Sequence, residues 1–389
     1  MKKTENWPTV SGDEIKLVNN VLKSAKLNFW TGKNCRNFEK EFSNFFKIKY
    51  SISIANGSVG LDIAIKSLEL KSNSEIIVTP RSYISSVTSV INQNHKPVFA
   101  DIDLNSQNIE SETIEKKITK KTKAIIVVHL GGMPSNMKKI VNLAKKYDLK
   151  IIEDCSQAHG ARIDQKYVGT FGDVSVWSFC NDKILNTLGE GGVVATKNFK
   201  LYKKLWSLKD CGKNYFKLLN SRKENKFRWI HDFQGTNLRM TEVQAAVGRY
   251  QLKKLSTWIK MRNDNSNKII KICQKYKSLR TQIVPTNFIN AYYRCYVFLN
   301  IKYIKKGWER QNIIKYLNSI GIQCDVGSCP EIYKEKFLLK TKNIPLKPLK
   351  NASLIGKTSI AFKVFPNIYK NNFDYKLSKL NKFLQNITI

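Results

Sequence analysis

The strongest constraint on this chain is a repeating alternation. Short runs that are apolar almost throughout are separated by segments whose apolar residues recur at helical spacing. SISIA at 51–55, IIVTP, PVFADID, AIIVVHL at 124–130, KIIEDC at 150–155, VSVWSF at 174–179 and GGVVAT at 191–196 read as strands. Strands this apolar need cover on both faces, and alternation with helices supplies it, so the pattern predicts an α/β fold with a mostly parallel sheet. Between the strands, Ile15, Val18 and Leu22 share a helical face after Ser11, which with Glu14 fits a capping box. Phe38, Phe42, Phe45 and Phe46 form an aromatic stripe that reads as core. Val59 to Leu70 reads as a helix, and Met137, Ile140, Val141 and Ala144 line the face of another.

The pattern changes after about residue 200. MTEVQAAVGRYQL opens a helix with Thr241 as N-cap and Gln244 three positions on, its apolar face being Val243, Ala246, Val247 and Tyr250. A long basic helix, a strand at YRCYVFLNI and a helix from Trp308 to Ile320, stopped by Gly321, follow. This predicts two domains: residues 1–250, a large domain with an N-terminal helical segment, and residues 251–389, a smaller α+β domain.

Composition excludes several classes. The opening MKKTENWPTV has no apolar core of a secretory signal, and no apolar run is long enough to span a bilayer. Eight cysteines without CxxC pairs suggest reduced thiols and a cytoplasmic setting. His95, His129, His159 and His231 show no metal-ligand spacing, so no metal is expected. The formal net charge is +37, but the lysines are spread over the whole length with no basic arm, aromatic RNA-binding pattern or zinc finger. Surface drift toward lysine accounts for this without a partner. Steering of a phosphorylated or carboxylated small molecule is the second reading, and a basic nucleic-acid-binding or regulatory protein is an alternative of another class.

In an open α/β sheet, ligands gather beyond the carboxyl ends of the strands. Three features fall there. Gly57 and Ser58, in ANGSVGL, stand between a strand and a helix, where free N–H groups suit a phosphate, or simply a tight turn with a serine cap. Asp154 ends the apolar run of IIEDC, where a carboxylate needs a cation or several donors, an Asx turn or ion pair being the plainer reading. Lys183 follows the VSVWSF strand in SFCNDKILNTLGEGG, before a glycine turn. There a lysine can be pocketed, and burial or nearby positive charge favours the neutral amine that attacks carbonyls. A phosphate cradle, a strand-end carboxylate and a strand-end lysine together suit pyridoxal 5′-phosphate.

The order of motifs resembles the DegT/DnrJ/EryC1/StrS family of sugar aminotransferases, which have the type I (aspartate-aminotransferase) fold of pyridoxal-phosphate enzymes. The resemblance runs through TGKNCRNFEKEF, ANGSVGLDIAI, PVFADID, VVHLGGMP, IIEDCSQAHGA, GTFGDVSVWSF, GEGG and GTNLRMTEVQAA. It implies that Lys183 forms the Schiff base and afterwards moves the proton, and that Asp154 pairs with the pyridinium nitrogen. Gln157 would contact the phenolic oxygen, Tyr83 would stack on the ring, and Gly57, Ser58 and Ser178 would bind the phosphate. Asn237 would reach the phosphate of a neighbouring subunit's cofactor, implying a homodimer with shared sites. The implied substrates are an amino donor, L-glutamate, and a keto or aldehyde sugar acceptor. The expected acceptor is a nucleotide-linked keto-deoxysugar used for cell-surface polysaccharide. Related dehydratases carry histidine in place of the lysine, so Lys183 argues against that reaction. Cys180, Arg81 and Phe365 depart from the common pattern in or near the expected sugar pocket. SFC-x-D-K also resembles a branch acting on free eight-carbon sugar acids of the 3-deoxy-octulosonate type for lipopolysaccharide, which stands as an alternative. LIGKTS at 354–359 echoes a P-loop without its first glycine and is discounted.

Overall fold

The computed structural model describes residues 7–220, 227–341, 343–368 and 372–389. Among these described residues, nine strands come from the first half: β1 (Tyr50–Ile54), β2 (Glu75–Val78), β3 (Lys96–Phe99), β4 (Thr122–Val128), β5 (Lys150–Asp154), β6 (Arg162–Ile163), β7 (Lys166–Tyr167), β8 (Val174–Ser178) and β9 (Gly192–Thr196). Five come from the second: β10 (Leu279–Thr281), β11 (Phe288–Ile289), β12 (Cys295–Leu299), β13 (Cys324–Asp325) and β14 (Ser359–Phe362).

The main sheet has the order β1-β9-β8-β5-β4-β2-β3. The pairings from β3 to β8 are parallel, while β9 runs antiparallel to both β8 and β1. The sheet is therefore mixed and mostly parallel, as an α/β fold of type I requires. Both faces are covered. Phe38, Phe42 and Phe46 pack on Trp177 and Phe179 on one face, with Phe42 and Trp177 rings 5.0 Å apart. Ile54, Leu61, Ala64, Val87, Val90 and Val176 fill the other. The two-sided burial explains why these strands read as continuous apolar runs.

The helix Gly57–Ser67 begins two residues before the expected start, because the Asn56 side chain accepts the Val59 N–H and caps it. At Ser11 the capping box is present, but Ile15 and Leu22 are exposed. The helix Gly12–Lys23 buries Glu14 and Val21 instead, since Glu14 both closes the cap and accepts a hydrogen bond from Gln251. MTEVQAAVGRYQL and the long basic stretch after it form one helix, Glu242–Cys273, opened by the Thr241–Gln244 capping box. The position expected for the domain boundary lies inside this helix. Beyond it, β10, β12, β14 and β13 form an antiparallel sheet, and β11 pairs back onto β6 of the first half. LIGKTS lies largely in the helix Lys350–Thr358, with no strand leading into it. Among the described residues no helix is long and apolar enough to cross a membrane. All eight cysteines are unpaired.

Because Phe42 touches four other buried aromatic rings, Phe42→Ala opens a cavity that its neighbours cannot collapse into. We expect a loss of about 3–5 kcal/mol in unfolding free energy, read from denaturant midpoints.

Candidate active site

Strand ends β1, β4, β5 and β8 open into one cavity of about 850 Å³. Gly57, Ser58, Tyr83, Asp154, Gln157, Ser178 and Lys183 all line it. Segments far apart in sequence are brought together because the parallel strands place their carboxyl ends side by side. Asn237 does not line it. It is exposed, and its segment is hydrogen-bonded between the end of β1 and the turn at 207–212, through Ala55 N–H to Leu238 O (2.8 Å) and Leu238 N–H to Lys209 O (3.0 Å).

At one end is a cradle. Asn56 takes the Val59 N–H, and the Gly60 N–H bonds the Asn56 carbonyl at 3.2 Å. The N–H groups of Gly57 and Ser58 are thereby left at the positive end of the helix. A Cβ on Gly57 would stand 2.7 Å from the Ser178 Cβ, so only glycine lets the helix start approach β8 this closely.

At the floor, Asp154 is buried, yet its carboxylate is only partly used. Oδ1 accepts the Ser156 N–H at 3.0 Å, and Oδ2 has a long contact, 3.5 Å, from the Ser86 hydroxyl. A buried carboxylate with spare acceptor capacity facing a cavity suits a cationic N–H donor. Gln157 Oε1 accepts the Gly131 N–H at 2.7 Å, which leaves its NH₂ as a donor. Gly131 has φ +64°, and a Cβ there would meet the Tyr296 ring at 2.7 Å, so this turn too demands glycine.

Lys183 is half-buried, and its Nζ lies 4.9 Å from the centre of the Tyr293 ring. Its backbone is pinned from a distant segment, the Trp7 Nε1–H donating to the Lys183 carbonyl at 2.7 Å. The Tyr293 hydroxyl donates to Asp182, and Arg294 approaches the same carboxylate at 3.6 Å. Burial pushes the Asp182 carboxyl up, but the Lys183 charge, the Tyr293 hydroxyl and Arg294 outweigh it and hold it below the usual carboxylate range. Burial drives the Tyr293 phenol well above its ordinary value. Tyr293, Arg294 and Trp7 are not marked as site residues by the sequence alone. They come from segments more than a hundred residues away, and no local pattern marks them.

Other residues of interest lie elsewhere. Arg81 does not line the cavity and is not a surface charge. It is buried behind Tyr296, with Nε donating to Gln107 at 3.0 Å and an Nη2 to Ser359 at 3.2 Å. Phe365 is also buried, stacked on Trp7 at 6.1 Å. Of the three departures from the common pattern only Cys180 faces the cavity. Arg239 pairs with Asp210 at 2.6 Å. His159 is buried and packs on Phe179.

His129, Glu153 and Cys155 converge closely enough to hold a metal ion, a cluster the histidine spacing did not reveal. Their polar atoms are already engaged. Glu153 accepts from His129 (3.2 Å), Gly169 (2.7 Å), Phe171 (2.7 Å) and Gly172 (2.6 Å). His129 Nδ1 accepts the Ser135 N–H at 3.0 Å, which fixes its proton on Nε2. This set is a structural hub.

A model of the DegT/DnrJ/EryC1/StrS aminotransferase family matches residues 8–380. An aminotransferase from Psychrobacter cryohalolentis of known structure is 39% identical, covering 98% of this chain and 99% of that one, with a TM-score of 0.96. A GDP-perosamine synthase of Escherichia coli O157:H7 is 34% identical over 70% of this chain and 73% of its own length. An E. coli GDP-4-keto-6-deoxy-D-mannose-3-dehydratase, solved with bound hydrated pyridoxal phosphate, is 25% identical, covers 98% of each chain and has a TM-score of 0.86. The family depends on pyridoxal phosphate. The glycine-only cradle beside Ser178 and the under-used Asp154 carboxylate fit that cofactor's phosphate and ring nitrogen.

Burial holds His159 neutral, with Lys183 and Arg262 adding to the effect, so its folded-state pKa falls from 6.5 to about 3. A depressed histidine contributes stability above its unfolded value and loses it as pH falls, here between about 6.5 and 3. We expect His159→Phe to flatten the decline of denaturant midpoints between pH 6.5 and 4, while leaving the loss below pH 4 in place.

Proposed function

The chain belongs to the DegT/DnrJ/EryC1/StrS aminotransferase family, and from that premise we propose that it transfers the amino group of L-glutamate to a keto or aldehyde sugar. The acceptor is a nucleotide-linked keto-deoxysugar, and the product serves a cell-surface polysaccharide. The observation that carries this reading is the cavity itself. Lys183, Asp154 and the Gly57–Ser58 cradle line one space of about 850 Å³, ample for a cofactor and a substrate. The likeness to a GDP-perosamine synthase supports the sugar.

Bound pyridoxal phosphate supplies an electrophilic carbon and an electron-withdrawing ring. The chain's own residues would do the rest. Gly57, Ser58 and Ser178 would hold the phosphate with N–H and hydroxyl donors. Asp154 would accept the hydrogen bond of a protonated ring nitrogen, Gln157 would donate to the phenolic oxygen, and Tyr83 would lie against the ring. Lys183 would hold the cofactor covalently at rest, and its Nζ would move the proton at the donor's α-carbon as general base and acid.

Asn237 stands outside this chain's own cavity, in keeping with a role in a partner's site, so the assembly we propose is a homodimer with shared active sites. We also propose residues 1–250 and 251–389 as the two domains, since the main sheet ends at Thr196 and the second begins at Leu279. The unpaired cysteines suit a cytoplasmic enzyme.

Protein loaded with pyridoxal phosphate should show a visible absorption band that glutamate bleaches, releasing 2-oxoglutarate. Lys183→Ala should abolish the band and slow glutamate conversion at least ~100-fold. A colourless protein that takes up no cofactor would contradict the reading.

A further inference from the structure

Any amino-acid donor brings a carboxylate within two bonds of its reacting nitrogen. That carboxylate must leave water for a cavity whose acidic lining residues are Asp154, Asp182, Glu190, Asp325 and Glu335. Among the described lining residues only two are basic, Lys183 and Arg294. Lys183 is committed to the chemistry. Arg294 remains, and it stands close by. Its guanidinium carbon is 4.4 Å from the centre of the Tyr293 ring, the ring that Lys183 Nζ approaches at 4.9 Å.

We propose that Arg294 anchors the carboxylate of the amino donor and that Asp182 is its displaceable counter-ion. Arg294 is not held as a structural arginine is. Its Nη1 makes a 3.3 Å bond to the carbonyl of Tyr293, and its Nη2 stays 3.6 Å from Asp182, too far for a hydrogen bond. Asp182 spends its hydrogen bond on the Tyr293 hydroxyl instead. The guanidinium thus keeps a planar donor edge for a ligand, and a carboxylate is the group that fits such an edge with two parallel bonds.

The scaffold fixes where the edge is presented. The buried Arg262 donates from Nη1 to the carbonyls of Tyr292 (3.2 Å) and Tyr293 (3.5 Å), and the Trp7 ring lies 5.2 Å from its guanidinium carbon. Arg239 is taken by Asp210 at 2.6 Å. Asp182 does a second thing. It keeps the pocket paired when the donor is absent, so a carboxylate must outcompete it.

This inference rests on the aminotransferase reading, and its test separates the two. The cofactor-loaded enzyme is mixed with glutamate in a stopped-flow instrument, and the rate of band bleaching is followed against glutamate concentration. Arg294→Gln should raise the half-saturating glutamate at least ~10-fold, with a much smaller fall in the maximal rate. Arg294→Lys, which keeps charge but not the planar edge, should recover part of the loss. Glutarate, a dicarboxylate without an amine, should compete with glutamate in the unaltered enzyme and much less in Arg294→Gln. Asp182→Asn should lower the half-saturating concentration. Unchanged half-saturation in Arg294→Gln overturns the assignment, and so does glutarate competing equally well in both proteins. Failure of the unaltered enzyme to bleach at all strikes the aminotransferase reading instead.

Discussion

Much of this structure hangs on one buried carboxylate. Glu153 has no contact with solvent, yet it accepts hydrogen bonds from His129 and from the backbone of Gly169, Phe171 and Gly172. Burial alone would push its carboxyl up. His129 and the amides of Gly172 and Gly169 reverse that and hold it below the usual range. Burying a charge costs several kcal/mol unless its acceptor sites are filled, and here they are. The result is a clamp joining β5 to the turn after β4 and to the loop before β8. The next residue along β5 is Asp154, which therefore meets the cavity at a fixed height. The turn after β4 carries Gly131, whose N–H holds Gln157.

The same logic explains which parts of the molecule were legible in the sequence. The strands of the main sheet are apolar because both faces are covered, and that signal is local. So are the capping boxes at Ser11 and Thr241, each a short polar side chain before a helix. Gly57, Asp154 and Lys183 were readable because each sits where a strand ends, and parallel strands end together. What was not legible depends on tertiary contact. Tyr293 and Arg294 enter the site from the segment before β12. Trp7 reaches Lys183 from 176 residues away. Ile15 and Leu22 looked like a buried face, yet the helix turned to satisfy Glu14, because a carboxylate with a cap and a glutamine to bind outweighs two modest apolar side chains. Arg81 was expected in or near the sugar pocket but is buried behind Tyr296, since sequence cannot tell which side of a strand-end turn faces the cavity.

The large positive charge also takes on a definite place. It is +37 over the whole chain, but the cavity carries more acidic than basic side chains among its described lining residues. The cations are therefore mostly outside the chemistry. Inside, each of the two has a separate post: Lys183 beside the Tyr293 ring, and Arg294 on the same ring facing Asp182. A pocket with few cations discriminates by where they stand.

Everything in the account returns to one lysine chosen from 67 lysine and arginine residues. Borohydride reduction fixes a lysine-bound pyridoxal group irreversibly, and peptide mass mapping then reports its position. The account predicts a single labelled peptide, containing Lys183, at one group per chain. Label on any other lysine, or scattered among the many surface lysines with Lys183 unmodified, would contradict it.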